Sequence, residues 1–143
     1  MQRNMHILQT NWAAQHQQLR LIREQIFIIE QGVPPALEWD TFDESAIHLL
    51  TIVEHKPVAC ARILNFNHIG RMAVLANFRG IGLGTALLIK AIEICKIHGA
   101  PIITLSAQVH AIPFYEKSGF IVNSDIYYDA GIAHRDMLFV FTI

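Results

Sequence analysis

A chain of 143 residues with 52% hydrophobic and 16% charged side chains is long enough for one domain with a real core, here residues 1–143, and too short for two. A formal net charge of −1 with no run of lysine or arginine speaks against nucleic acid as a partner, and no apolar stretch is long enough to span a membrane. Cys60 and Cys95, far apart inside apolar runs, read as small buried hydrophobes in a reduced compartment, not as a disulfide or a metal site. With no signal-peptide segment at the start, a cytoplasmic address is expected.

Met5 to Gln9 reads as a first strand, closed by Thr10 and Asn11, either of which can cap the helix that follows. From Trp12 to about Glu30, Leu19, Ile22, Ile26 and Ile29 recur at helical spacing and predict a buried stripe. Arg23, Phe27 and Glu30 fall on an adjacent stripe, and Gly32, Pro34 and Pro35 end the helix. Gln31 to Glu44 is expected to be an irregular loop and a substrate wall. It carries Glu38, Asp40, Asp43 and Glu44 but no lysine or arginine.

Ala46–Glu54 and Val58–Leu64 are strand-like runs joined by a turn at His55-Lys56-Pro57. Ile69 to Leu75 is a further strand. The helix beyond the next turn is apolar on most faces (Leu83, Leu87, Ile89, Ala91, Ile94) and stops at Gly99. Pro101–Leu105 reads as a strand and His110–Ser118 as a short helix. Phe120–Val122 and Met137–Ile143 read as last strands, with a polar link containing Gly131 between them. This order describes a mixed α/β sheet in one domain.

The chemistry concentrates at Arg79-Gly80-Ile81-Gly82-Leu83-Gly84-Thr85, between a strand and a helix. Alternate glycines leave backbone N–H groups uncovered where the helix begins, and the helix dipole is positive there, so the turn suits a phosphate. Arg79 adds a planar fork of donors for a pyrophosphate oxygen. A Rossmann turn would need glycine at position 85 or 87, and a Walker loop a lysine before Thr85; neither is present. The remaining pattern, Arg-x-x-Gly-x-Gly, resembles the coenzyme A pyrophosphate loop of the GNAT superfamily of N-acetyltransferases. The resemblance implies a single-domain, mixed and mostly antiparallel sheet flanked by helices. It also implies acetyl-CoA held by Arg79, Gly80, Ile81, Gly82, Leu83, Gly84 and Thr85.

A second constellation runs from Leu105 to Phe120: a strand end with the amide of Gln108, a helix bearing Tyr115, then Gly119-Phe120. It resembles the other GNAT signature, in which the tyrosine gives a proton to the departing thiolate. Gln108, standing where members often carry Asn, together with Phe114 and Lys117, is expected at the acetyl-CoA site. On spacing alone Tyr115 reads equally well as a core ring beside Phe120. The strand residues Met72, Ala73 and Val74 are expected to offer backbone N–H groups to the pantetheine amides and the thioester carbonyl.

A third resemblance narrows the branch. Arg23, Phe27, Glu30 and Gln31, then Glu38, Asp40, Asp43, Ala46 and His48, are similar to the N-terminal half of ElaA-type acetyltransferases. Gly131-Ile132-Ala133-His134 with Met137 resembles their C-terminal segment, with Ala133 in place of proline. Arg23, Phe27, Asp40, Asp43 and Arg62 are also shared with acyl-homoserine-lactone synthases, which stand as the alternative, beside a catalytically silent acetyl-CoA-binding module. The implied reaction is direct acetyl transfer to a small-molecule or peptide amine, with Glu30 and His134 as candidate bases and no metal. Asp40 and Asp43 read as loop-anchoring acceptors or ion-pair partners of Arg23 and Arg62, the acidic loop favours a cationic acceptor, and a homodimer is left open.

Overall fold

The protein is described here by a computed structural model covering residues 4–142. Met1–Arg3 and Ile143, the expected end of the last strand, lie outside the described residues. Strand β1 (Met5–Thr10) leads into helix α1 (Trp12–Arg23), whose start is capped by Asn11 accepting from the Ala14 N–H at 2.9 Å. The helix does not continue as α-helix to Glu30. Glu24–Glu30 is a π-helical segment, in which the Gln31 N–H bonds the Ile26 carbonyl five residues back. The wider turn rotates the stripe: Leu19, Ile22 and Ile26 are buried as expected, whereas Ile29 is 63% exposed.

Beyond it come helix α2 (Pro35–Glu38) and strands β2 (Ile47–Val53), β3 (Lys56–Leu64) and β4 (His68–Val74). Helix α3 (Leu83–Ile97), strand β5 (Ile102–Gln108), helix α4 (Ile112–Glu116) and strands β6 (Ile121–Val122), β7 (Tyr127–Asp129) and β8 (Ile132–Val140) follow. Three hairpins close through residue pairs in left-handed backbone: Glu54–His55, Asn65–Phe66 and Ala130–Gly131. Two successive positive φ angles match the twist of antiparallel strands. The third hairpin replaces the expected polar link, so β8 begins at Ile132 and not near Met137. β5 likewise runs on to Gln108.

The strand order is β1-β2-β3-β4-β5-β8-β6, with β7 also on β8. All pairings are antiparallel except β4 with β5, which is parallel and rests on one registered pair, His68 with Thr104. Helix α3 covers one face with Leu83, Leu87, Leu88, Ala91, Ile94 and Cys95, against Ala59, Ala61, Ile63, Ile103 and Leu105. Its Ile89, expected on a buried face, is 56% exposed. Helix α1 covers part of the other face, where Leu19, Ile22 and Ile26 pack on Leu50, Cys60 and Ala73. Among the described residues no helix is long and apolar enough to cross a membrane.

Segment 31–44 is not the irregular acidic wall that its composition suggests. Three arginines from α1, β3 and β4 fold it down as α2 and a 3₁₀ turn, Thr41–Glu44, capped by Asp40. Arg23, 1% exposed, donates to Glu38 at 2.8 Å and to Asp43 at 2.7 Å. Arg62 reaches Asp40 at 2.8 Å and Asp43 at 3.1 Å, and Arg71 reaches Glu38 at 3.0 Å and Asp40 at 3.3 Å. Burial alone would raise the Asp43 carboxyl, but hydrogen bonds and charge from Arg23 and Arg62 outweigh it and hold it below its ordinary value. The guanidinium groups of Arg20 and Arg23 lie 4.5 and 5.0 Å from the centroid of the Trp39 ring.

Removing one partner of a buried ionic cluster strands the others without water. Arg23→Ala is therefore expected to lose about 3–5 kcal/mol in urea unfolding, since Asp43 and Glu38 both lose a donor. A loss under about 1 kcal/mol would show that the cluster does not hold the segment down.

Candidate active site

Because β4 and β5 touch through one registered pair, they part as they run on, toward Val74 and Gln108 respectively. The edge of β4 facing β5 then has no strand partner among the described residues. The register of β4 against β3 also slips between Cys60 and Arg62, opposite Arg71, whose φ is +48°. Such a bulge re-aims side chains, and Arg71 points to Glu38 and Asp40. A cavity of about 720 Å³ fills the gap.

Its walls bring together most of the residues singled out in the sequence. Met72, Ala73 and Val74 line it, as do Arg79, Gly80, Gly82, Leu83, Gly84, Thr85, Gln108, Phe114 and Tyr115, with Glu30 and His134. Ile81, 58% exposed, and Lys117, also exposed, are not among its walls. Gly80 and Gly82 have φ of +80° and +87°, a backbone that other residues adopt only under strain. A Cβ at either would meet no atom within 4 Å, so the turn faces open space. Gly82 opens the 15-residue α3 with no side-chain cap, leaving the first N–H groups to whatever occupies the cavity mouth. At Gly84 a Cβ would sit 3.4 Å from the Phe114 ring, so glycine there lets α3 approach α4.

Two sequence readings need correction. Arg79 does not reach outward from the turn. Its Nε donates to the Val74 carbonyl at 2.8 Å, while Nη1 and Nη2 hold the two oxygens of Glu30 at 2.9 and 3.0 Å. A carboxylate that gives both oxygens to a guanidinium is poorly placed to take a proton from substrate, which argues against Glu30 as the base. The second correction concerns the acidic wall: Glu38, Asp40 and Asp43 are all spent on arginines, so they do not make the cavity acidic.

His134 is 9% exposed, and its Nδ1 lies 2.7 Å from the Ile132 carbonyl. A carbonyl oxygen only accepts, so Nδ1 carries a proton, and in the neutral ring the lone pair is then on Nε2. Gln108, paired with His134 across β5 and β8, donates to Gln31 at 2.8 Å. That bond joins the start of segment 31–44 to the end of β5, next to the C-terminal hairpin. Val33, Leu37 and Glu38 thus share the cavity with Asp129, Ala130 and Ile132. Tyr115 packs edge-on against Phe114 and Phe120, with centroids 5.0 and 6.1 Å away, and burial pushes its hydroxyl up to about 12. Sequence reasoning passed over Arg71 and Ser106, both cavity-lining. A charged residue inside the apolar run after Gly70 was the available signal for the first.

Residues 14–141 match the acetyltransferase (GNAT) domain family. The chain belongs to the GNAT acetyltransferases, in the ElaA branch. It is 34% identical over 122 residues to the uncharacterised N-acetyltransferase YjcF of Bacillus subtilis, covering 82% of this chain and 86% of that protein. To Escherichia coli ElaA it is 33% identical over 125 residues, 81% of each chain. The ElaA crystal structure matches with a TM-score of 0.83 at 29% identity, over 96% of this chain and 99% of that one. An acyl-CoA N-acyltransferase from Pseudomonas aeruginosa matches with a TM-score of 0.84 at 24% identity, over 97% and 100%, a likeness of fold alone. Of the residues shared with the lactone synthases, Arg23, Asp40, Asp43 and Arg62 are tied up in the ionic cluster, while Phe27 lines the cavity.

The two buried histidines provide a check on this geometry. His134 is expected as the Nδ1–H tautomer, and His48, whose Nε2 bonds the Asp43 carbonyl at 2.8 Å, as the Nε2–H tautomer. Long-range nitrogen–proton NMR spectra of labelled histidine, assigned with His134→Ala, distinguish the two forms. An Nε2–H signal for His134 would contradict the site as described.

Proposed function

We propose that this acetyltransferase binds acetyl-CoA in the gap between β4 and β5 and passes the acetyl group directly to an amine in a ternary complex. The observation that carries the reading is one cavity running from the open glycine turn, along the free edge of β4, to His134. Glycine-turn N–H groups and the α3 N-terminus suit the pyrophosphate. N–H groups of Met72–Val74 suit the pantetheine amides and the thioester carbonyl. One donor aimed at the developing oxyanion contributes about 3 kcal/mol.

The amine arrives as an ammonium ion and must lose a proton before attack. His134 Nε2, with its lone pair, is the group assigned to take it. Asp129 lines the same end of the cavity and makes no ion pair among the described residues, so it replaces the acidic loop as the group favouring a cationic acceptor. As the nitrogen–carbon bond forms and the carbon–sulfur bond breaks, Tyr115 faces the departing thiolate. A phenol held near 12 gives up its proton less readily than a thiol of about 8.5. Tyr115 therefore stabilises the thiolate chiefly by donating a hydrogen bond.

A hydrogen bond to a charged group is worth about 1.5–3 kcal/mol. Tyr115→Phe is thus expected to lower kcat for amine-dependent thiol release from acetyl-CoA by roughly ten- to a hundred-fold, with acetyl-CoA affinity by calorimetry little changed. Full turnover in the variant would leave Tyr115 as a packing residue. Binding of acetyl-CoA without turnover by the unaltered protein, across a wide amine panel, would favour a silent binding module.

A further inference from the structure

The end of the π-helical segment touches both strands that border the gap. Glu30 holds Arg79, whose Nε is bonded to the Val74 carbonyl at the end of β4. The next residue, Gln31, accepts from Gln108 at the end of β5. All four side chains belong to residues that line the cavity. β4 and β5 themselves share only the His68–Thr104 pair, at the start of β4. Among the described residues, then, no backbone ladder fixes how far apart Val74 and Gln108 stand.

The backbone register shows what Arg79 does there. The Leu75 N–H bonds the Val58 carbonyl on β3 at 2.9 Å. Successive residues of a strand turn their N–H and C=O groups to opposite sides, so those of Val74 face the open edge. Arg79 takes that carbonyl at 2.8 Å and leaves the N–H, so at Val74 the edge offers a donor only. Both Nη atoms are meanwhile held by Glu30, which fixes the guanidinium from two sides. The π-helical turn is itself seated on the sheet. The Gln31 N–H reaches back five residues to the carbonyl of Ile26, whose side chain packs with Ala73 of β4.

We propose that Glu30 and Gln31 form a brace across the gap, which sets the separation of the two strand ends and so the fit of the pantetheine arm between them. The inference rests on the reading above that acetyl-CoA lies in the gap. Glu30, Gln31 and Arg79 are positioning residues in this scheme. Arg79 holds the edge of β4 and does not bind the pyrophosphate, which is left to the glycine turn. A site kept at its working width binds more tightly, because less ordering remains when the ligand arrives. Cutting the brace at either end releases both strands, so a second cut adds nothing.

The test measures dissociation constants for acetyl-CoA, by calorimetry, and for S-acetylpantetheine, which has the arm but no pyrophosphate, by NMR titration. Glu30→Ala, Gln31→Ala, the double variant and Arg79→Ala are compared with the unaltered protein. Each single variant is expected to weaken both ligands by a similar factor, roughly three- to tenfold. The double variant is expected to bind no more weakly than the weaker of its two singles, the mark of coupled sites. Factors that multiply in the double variant, or singles of unchanged affinity, overturn the brace. Fewer binding sites per chain at unchanged affinity would show a merely structural role and also overturn it. A loss confined to acetyl-CoA in Arg79→Ala, or tighter acetyl-CoA binding in Glu30→Ala, would make Arg79 a pyrophosphate ligand and overturn it too. Each of these results leaves the acetyltransferase reading standing. No binding of acetyl-CoA by the unaltered protein overturns both.

Discussion

The parting of β4 from β5 is the constraint on which the rest of the molecule depends. Every other neighbouring pair in the sheet is held by antiparallel ladders, but these two parallel strands share His68 with Thr104 and then separate. A strand edge left open inside a fold presents hydrogen-bonding groups that need partners. Here those groups border a cavity, so an extended ligand can supply them as an added strand would. β4 then feeds the glycine turn, which puts the N-terminus of α3 at the mouth of the same gap. The open strand edge and the uncapped start of α3 thus border the same gap.

A gap of this kind needs walls that do not collapse into it. On the β4 side the wall is the cluster of Arg23, Arg62 and Arg71 with Glu38, Asp40 and Asp43, which ties α1, segment 31–44, β3 and β4 together. Taking such charges from water is costly, and only close, multiply hydrogen-bonded geometry repays it. Bonds of 2.7–3.1 Å to Arg23 and Arg62 meet much of that demand, leaving Asp43 Oδ2 and Arg62 Nε buried without a hydrogen-bond partner. Three cations meet three anions in the cluster, of which Glu38, Arg62 and Arg71 line the cavity. The C-terminal hairpin lines the other end of the cavity with Asp129 and His134.

What was legible in the sequence was local. The glycine turn announces itself because φ, helix start and arginine lie within seven residues, and Tyr115 stands at a fixed offset from Gly119-Phe120. The opposed charges of Arg23 and Arg62 with Asp40 and Asp43 could be anticipated as pairs, though not that Arg71 and Glu38 complete them. Long-range pairing was out of reach: Arg79 and Glu30 meet across 49 positions, and nothing local to either predicts it. The π-helical turn that exposes Ile29 leaves no periodic trace in seven residues. The β7–β8 hairpin turns at Ala130-Gly131 without the usual Asn-Gly, so Tyr127 passed as part of a polar link.

Acetyl-CoA is predicted to lie along the free edge of β4. Amide hydrogen exchange with and without acetyl-CoA reads that edge directly, because a backbone N–H bonded to ligand exchanges more slowly. Slower exchange is predicted at Met72–Val74 and at Gly80–Thr85 together, with β1 and β2 unaffected. Acetyl-CoA that binds without slowing either segment would contradict the placement of the substrate in the gap.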